Sequence, residues 1–209
     1  MRYFKIIVAF VILTGAMAAQ AQTRYTYTPW EPGYQDKGVE IDYRWVSWQK
    51  KNKSREIRCR FYVDARPDEI IGLFQNQGDI QAWAVGAKAC EVKPYDQEQW
   101  WVYTLFDVPW PLEPKDIVTH YRKEEKGGIV TLYMVATPDR FPRRSDVSRM
   151  ERYQGSWTFT PQEGGKTKVE FCSLTFKDPP VPRFILDPII QRMMVNSLTD
   201  FTKLAEAKK

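Results

Sequence analysis

Few residues in this chain of 209 could carry a reaction, and their spacing suits none of the common mechanisms. His120 is the sole histidine. There is no G-x-S-x-G elbow, no glycine-rich phosphate loop and no Cys/His spacing fit for zinc. Nucleophilic, phosphoryl-transfer and metal chemistry therefore lack their usual parts, so no catalytic residue is assigned and no metal ion or other cofactor is implied. The acidic pair Glu124-Glu125 falls at a turn and reads as solvated. Cys59, Cys90 and Cys172 are an odd and sparse set, which is not a disulfide framework. What remains is hydroxyl chemistry. Tyr103, Thr119 and Tyr121 lie on two apolar-rich strand candidates, where they can orient a ligand or act as a weak acid.

Those two strands, Gln99–Phe106 and Ile117–Lys123, flank the segment DVPWPLEPKD, Asp107 to Asp116. Its three prolines have no N–H to donate to a ladder, so it must form a stiff, extended corner. Trp110, held between Pro109 and Pro111, is expected to pack against the body of the fold. On the strands themselves Trp101, Tyr103 and Leu105 share one parity, as do Ile117, Thr119 and Tyr121. His120 has the other parity and reads as a surface residue.

The remaining elements follow from pattern and punctuation. Val39–Trp48 alternates loosely and turns at Gln49–Ser54 into a second strand, Arg55–Asp64. Pro67 and the acidic pair Asp68 and Glu69 open a short helix over Pro67–Gln75, and Asp79–Trp83 suggests another. Ala87–Tyr95, Ile129–Thr137, Arg149–Pro161 and Lys166–Phe176 have strand length and content. Gly127-Gly128 and Gly164-Gly165 fit tight antiparallel hairpins. Pro138–Val147 is a basic loop holding Arg140, Arg143 and Arg144. With Asp187 as N-cap and Pro188 in first position, a last helix spans Pro188–Glu206, about 28 Å long. Ile190, Met193, Met194, Ser197 and Phe201 recur along one side of it at helical spacing.

Composition bounds the rest. At 43% hydrophobic and 14% aromatic the chain suits one well-packed domain. Met1–Ala21 reads as a signal peptide, with Arg2 and Lys5, an apolar core at Ile6–Leu13, and the cleavage site Ala19-Gln20-Ala21. Export to the periplasm or medium, with cleavage after Ala21, is the expectation. Residues 22–37 form an aperiodic lead-in and residues 38–209 the domain. The net charge of +5 falls by two when Arg2 and Lys5 leave, too slight a bias for a nucleic-acid partner. Asn52-Lys53-Ser54 matches a glycosylation sequon, a pattern short enough to arise by chance.

Taken in order, two strands, two short helices, a run of strands and a closing helix resemble the α+β helix-grip fold, a curved antiparallel sheet wrapped around a long C-terminal helix. The chain resembles more particularly the START family, the lipid-transfer domains related to steroidogenic acute regulatory protein, over about residues 39–205. Pro67–Phe74 resembles the family's helix after its third strand. The corner D-x-P-W-P-x-x-x-[RK]-D is matched by Asp107, Pro109, Trp110, Pro111, Lys115 and Asp116. Gly155–Pro161 with Gly165–Val169 resembles its late hairpin, and Pro182–Phe201 its final helix.

The resemblance implies an internal cavity for a lipid, sterol or other hydrophobic small molecule. It turns Trp101, Tyr103 and Leu105 inward with Ile117, Thr119 and Tyr121, adds Trp157 and Phe159 from the late hairpin, and adds the helix face Ile190, Met193, Met194, Ser197 and Phe201. Content alone reads such faces as plain core. An acid and an arginine that several family members carry inside the cavity fall at Leu105 and Tyr121 here, so that charged pair is absent. The implied function is binding or transfer without catalysis. The alternatives are a cyclase or hydrolase using the same cavity, and a scaffold with a solid core. The cavity gate is expected between the final helix and the Pro138–Val147 loop, with the loop's arginines making transient contact with a membrane surface. In this topology Cys59 and Cys172 lie on neighbouring strands, where they form a disulfide in register or two thiols one step apart.

Overall fold

A computed structural model describes residues 25–48, 52–107, 110, 113–176 and 181–209. The signal-peptide reading falls wholly outside the described residues, and the hairpin tip and the proline corner fall partly outside them. The chain opens with strands β1 (Tyr25–Tyr27), β2 (Glu31–Asp36), β3 (Val39–Trp48) and β4 (Asn52–Val63). Helix α1 (Pro67–Ile71), a single 3-10 turn (Gly72–Phe74) and helix α2 (Gln77–Trp83) follow. Then come β5 (Ala87–Pro94), β6 (Gln99–Phe106), β7 (Lys115–Lys126) and β8 (Ile129–Ala136). The last strands are β9 (Ser148–Arg149), β10 (Tyr153–Pro161) and β11 (Thr167–Thr175), before helix α3 (Arg183–Ala207).

The eleven strands among the described residues join one curved sheet, nine of them in the order β1-β3-β4-β11-β10-β8-β7-β6-β5, with β2 paired to β3 and β9 to β7. Its pairings are antiparallel except for β9, which runs parallel to β7. The β7–β8 turn rests on Gly127 and Gly128 at φ 59° and 78°, a backbone that side-chain-bearing residues resist. At Gly155 on β10 a Cβ would lie 2.3 Å from the Cys172 carbonyl oxygen and 2.8 Å from the Met134 methyl. Only glycine lets those strands close.

The lead-in, aperiodic in sequence, forms β1 and β2 along the free edge of β3. Arginine–aromatic stacking holds it there. The Arg44 guanidinium lies 4.3 Å from the rings of both Tyr27 and Trp30, and Arg58 lies 4.3 Å from Trp30.

Helix α3 starts five residues before the expected Pro188, and Asp187 is not its cap. Pro188 stands inside the helix and denies an N–H to the Phe184 carbonyl. That loss is tolerated because Phe184 is exposed to solvent while Leu186 is buried against the body. Trp110 does not pack inward as expected: it is 88% exposed. The three cysteines are free. Cys59 stands opposite Phe171 and Cys172 opposite Arg58, so the two thiols sit one register step apart on opposite faces.

Candidate functional site

The face of β6 is set by its register with β7. Trp100 pairs with Tyr121, Val102 with Thr119 and Thr104 with Ile117. Opposed residues on antiparallel strands project to the same side. Tyr121 stacks on Trp100 at 5.4 Å and touches Phe74 at 5.9 Å, so this set faces the concave side, beneath α3. The inward reading of Ile117, Thr119 and Tyr121 therefore holds, and the reading of Trp101, Tyr103 and Leu105 as inward is corrected. Those three share the convex face with His120, Val118 and Asp116.

The error has a physical source: both faces of β6 are covered, so both parities are apolar and alternation carries no information. Nor does the corner between the strands pin their register, as a two-residue turn would. On the convex face Trp101 stacks on His120 at 4.8 Å with the Arg140 guanidinium 4.3 Å from its ring. Tyr103 stacks on the buried Phe141 at 5.6 Å. The loop over residues 138–147 thus roofs the convex side, away from α3, and the expected gate between loop and helix is corrected. Its arginines are also engaged at home. Arg143 pairs with Asp139 and Glu151, and Arg144 with Asp146.

Under that roof sits a closed ionic pair. Arg149 Nε and Nη2 donate to the two carboxylate oxygens of Asp116 at 3.0 and 2.6 Å. Arg149 Nη1 donates to the Pro138 and Phe141 carbonyls at 2.7 Å each, and Nη2 to that of Pro142 at 2.9 Å. All five guanidinium donors are used. Both side chains are almost wholly buried, at 2% and 1% exposed.

The concave side is uneven. Beneath the C-terminal half of α3, Phe74 is ringed by Trp83, Trp157, Phe159 and Phe201 at 5.1 to 5.9 Å. Trp157, Phe159 and Phe201 are buried there as mutual packing. The N-terminal half is tied to the sheet by Arg55–Asp187 and Gln191–Tyr43. A single row of paired residues crosses the sheet: Tyr43, Ile57, Ser173, Gly155, Met134, Tyr121 and Trp100. Its middle members are small. Ile57, Tyr121, Tyr153, Phe171 and Met194 pack on the core with part of their surface uncovered. Yet Tyr121 and Tyr153 lie so deep that burial drives both phenols well above their ordinary pKa.

On α3, Met194 packs on the core, and Ile190 and Met193 are half-buried. Ser197 is a tie to the body, its Oγ accepting the Val85 N–H at 2.8 Å. Several concave-face residues escaped the sequence reading. Tyr153 donates its hydroxyl to Met134 Sδ at 3.2 Å. Arg55 of β4 bonds Asp187 of α3, and its guanidinium lies 3.9 Å from the Tyr43 ring. Gln191 donates to the Tyr43 hydroxyl at 3.2 Å. Burial raises the Tyr43 pKa, against the Gln191 bond and the Arg55 charge.

Two surface grooves of about 330 Å³ each lie elsewhere, one between the β2–β3 turn and α3, the other beside α1 and the β7–β8 turn. Neither is lined by a residue of the row, though the first is lined by Gln191, which bonds Tyr43. No group of acidic, histidine or cysteine side chains among the described residues could hold a metal. No helix among them is long and apolar enough to cross a membrane.

With this geometry in hand, comparison with known proteins is informative about the fold. No family model matches the chain. An uncharacterized protein of Pseudomonas aeruginosa is 24% identical over 183 residues, covering 86% of this chain and 88% of that one. A STAR-related lipid transfer protein from Xanthomonas axonopodis superposes with TM-score 0.73 at 20% identity, covering 84% of this chain and 98% of that fragment. Human StAR-related lipid transfer protein 5 gives 0.68 at 13% identity, covering 85% and 86%. An aromatase/cyclase from Streptomyces, Zhui, gives 0.52 at 14% identity, covering 73% and 93%. The fold is START-like, of the helix-grip type.

Proposed function

We propose that this protein is exported and binds, and transfers, a hydrophobic small molecule such as a lipid or sterol. The ligand lies between the concave sheet and the N-terminal half of α3. The observation that carries this reading is the set of partly uncovered apolar and aromatic side chains, Ile57, Tyr121, Tyr153, Phe171 and Met194, that pack on the core. Unfilled apolar surface inside a fold is retained at a cost in stability, and a ligand that fills it recovers the lost contacts. Lipid-transfer proteins among the neighbours in fold support the class of ligand. Binding is favoured over turnover because burial raises the pKa of the Tyr121 and Tyr153 phenols, which makes them poorer acids while leaving them hydrogen-bond donors.

Mass spectrometry of organic extracts from the purified protein is expected to recover a lipid near one per chain. No recovered lipid, together with no binding of fluorescent sterol or phospholipid, would reject the reading. N-terminal sequencing of the exported form should begin at Gln22, and retention of the leader would reject export. Contact with a membrane surface would use the exposed apolar side chains Trp110 and Phe184 in place of the paired loop arginines. Co-sedimentation with phosphatidylglycerol vesicles, lost in Phe184→Ser, is the expected result; absence of binding in the native protein rejects it.

A further inference from the structure

The Arg55–Asp187 pair joins the sheet to the half of α3 that covers the hollow, and it differs from a surface ion pair in its setting. Its side chains are 17% and 21% exposed. The Tyr43 ring lies against the Arg55 guanidinium, and Gln191, one helical turn beyond Asp187, is tied to the Tyr43 hydroxyl. Tyr43 heads the row of paired residues that runs past Ile57 to Tyr121 and Trp100, and that row carries no charge. The apolar floor therefore ends in a polar knot of zero net charge.

We infer that this knot anchors the polar head of the ligand and selects a neutral, hydroxyl-bearing head over an anionic one. The inference rests on the proposed binding function. A guanidinium offers five donors and a carboxylate about four acceptor sites, more than the single contact joining Arg55 Nη2 to Asp187 Oδ1 employs. A hydroxyl uses both partners at once, accepting from Arg55 and donating to Asp187. An anionic head meets Asp187 as a like charge. It reaches the spare donors of Arg55 only by crowding against that carboxylate at close range, or by displacing it and leaving it half-buried without its cation, and both are costly. The body of the ligand then extends over Ile57 toward Tyr121 and Trp100.

The test uses three fluorescent probes on the full chain: parinaric acid, the corresponding parinaryl alcohol, and the hydrocarbon diphenylhexatriene. The acid and alcohol share one chain and differ only in the head. At about pH 8 the acid is ionised, and the native protein is expected to bind the alcohol at least about tenfold more tightly. Asp187→Asn keeps the shape and removes the like charge, so it should tighten the acid about tenfold and leave diphenylhexatriene unchanged. In Arg55→Met/Asp187→Leu the preference should fall to within about twofold. Equal affinities in the native protein, tighter binding of the acid, or an acid affinity unmoved by Asp187→Asn would each overturn the anchor. If none of the three probes binds, the hollow itself is refuted and the anchor with it. Diphenylhexatriene bound without a preference between the heads refutes the anchor alone.

Discussion

Two arginine–aspartate pairs flank the same sheet, and their surroundings divide the molecule into a closed side and an open one. On the convex side Arg149 spends every donor on Asp116 and three loop carbonyls, and Phe141 seals the layer against Tyr103. That pair fastens the loop over residues 138–147 to β7. On the concave side Arg55 and Asp187 meet through one contact, against the ring of the buried Tyr43. A polar pair with every bond used holds structure together, whereas one with donors and acceptors left over has capacity for a further polar group.

The sharpest way to break this contrast is Arg149→Met. It strands a buried carboxylate and three carbonyls, and urea unfolding should show a loss of about 3–5 kcal/mol. Arg149→Met/Asp116→Leu should regain part of that loss, and a single-variant loss under about 1 kcal/mol would mean that the pair is no rivet. Phe141→Ala comes next, at about 3 kcal/mol, since it empties the convex layer. Diphenylhexatriene binding should survive it; if binding falls with stability, the two faces are not independent. On the open side, Arg55→Met/Asp187→Leu should change stability by about 1 kcal/mol or less, because a matched apolar swap leaves no orphaned charge. A loss as large as that of Arg149→Met would erase the distinction between the pairs.

The smallest effect concerns pH. Burial, and then the Arg122 charge, hold the His120 pKa below its ordinary value on the convex face. The folded protein thus prefers neutral His120. The stability this group contributes is full above about pH 6.5 and lost as pH falls from there through its lower folded pKa. His120→Gln should give a shallower fall in melting temperature between about pH 7 and pH 5. Identical slopes in both proteins would show that the imidazole is not desolvated as its stacking on Trp101 implies.

The order of elements was legible because it is written in local chemistry. Gly127-Gly128 states its hairpin, Pro67 with Asp68 and Glu69 states a helix start, and the apolar spacing along 190–204 states a long closing helix. The start of α3 was misread for the same reason: Pro188 looks like a first helical residue until Leu186 is seen buried and Asp187 is seen bonded to Arg55. The two short edge strands gave no periodic signal, since what holds them is the stacking of Arg44 and Arg58 on Tyr27 and Trp30.

The sequence by itself determined the helix-grip order and the aromatic character of the interior. Only the tertiary structure decided which side of β6 meets the helix, that Cys59 and Cys172 miss each other by one step, and that Arg55 finds Asp187. The reason is physical. A strand covered on both faces is apolar at every position, so its pattern does not say which face is which. That answer lies in what packs against it, and those partners are far away along the chain: Asp187 stands 132 residues from Arg55.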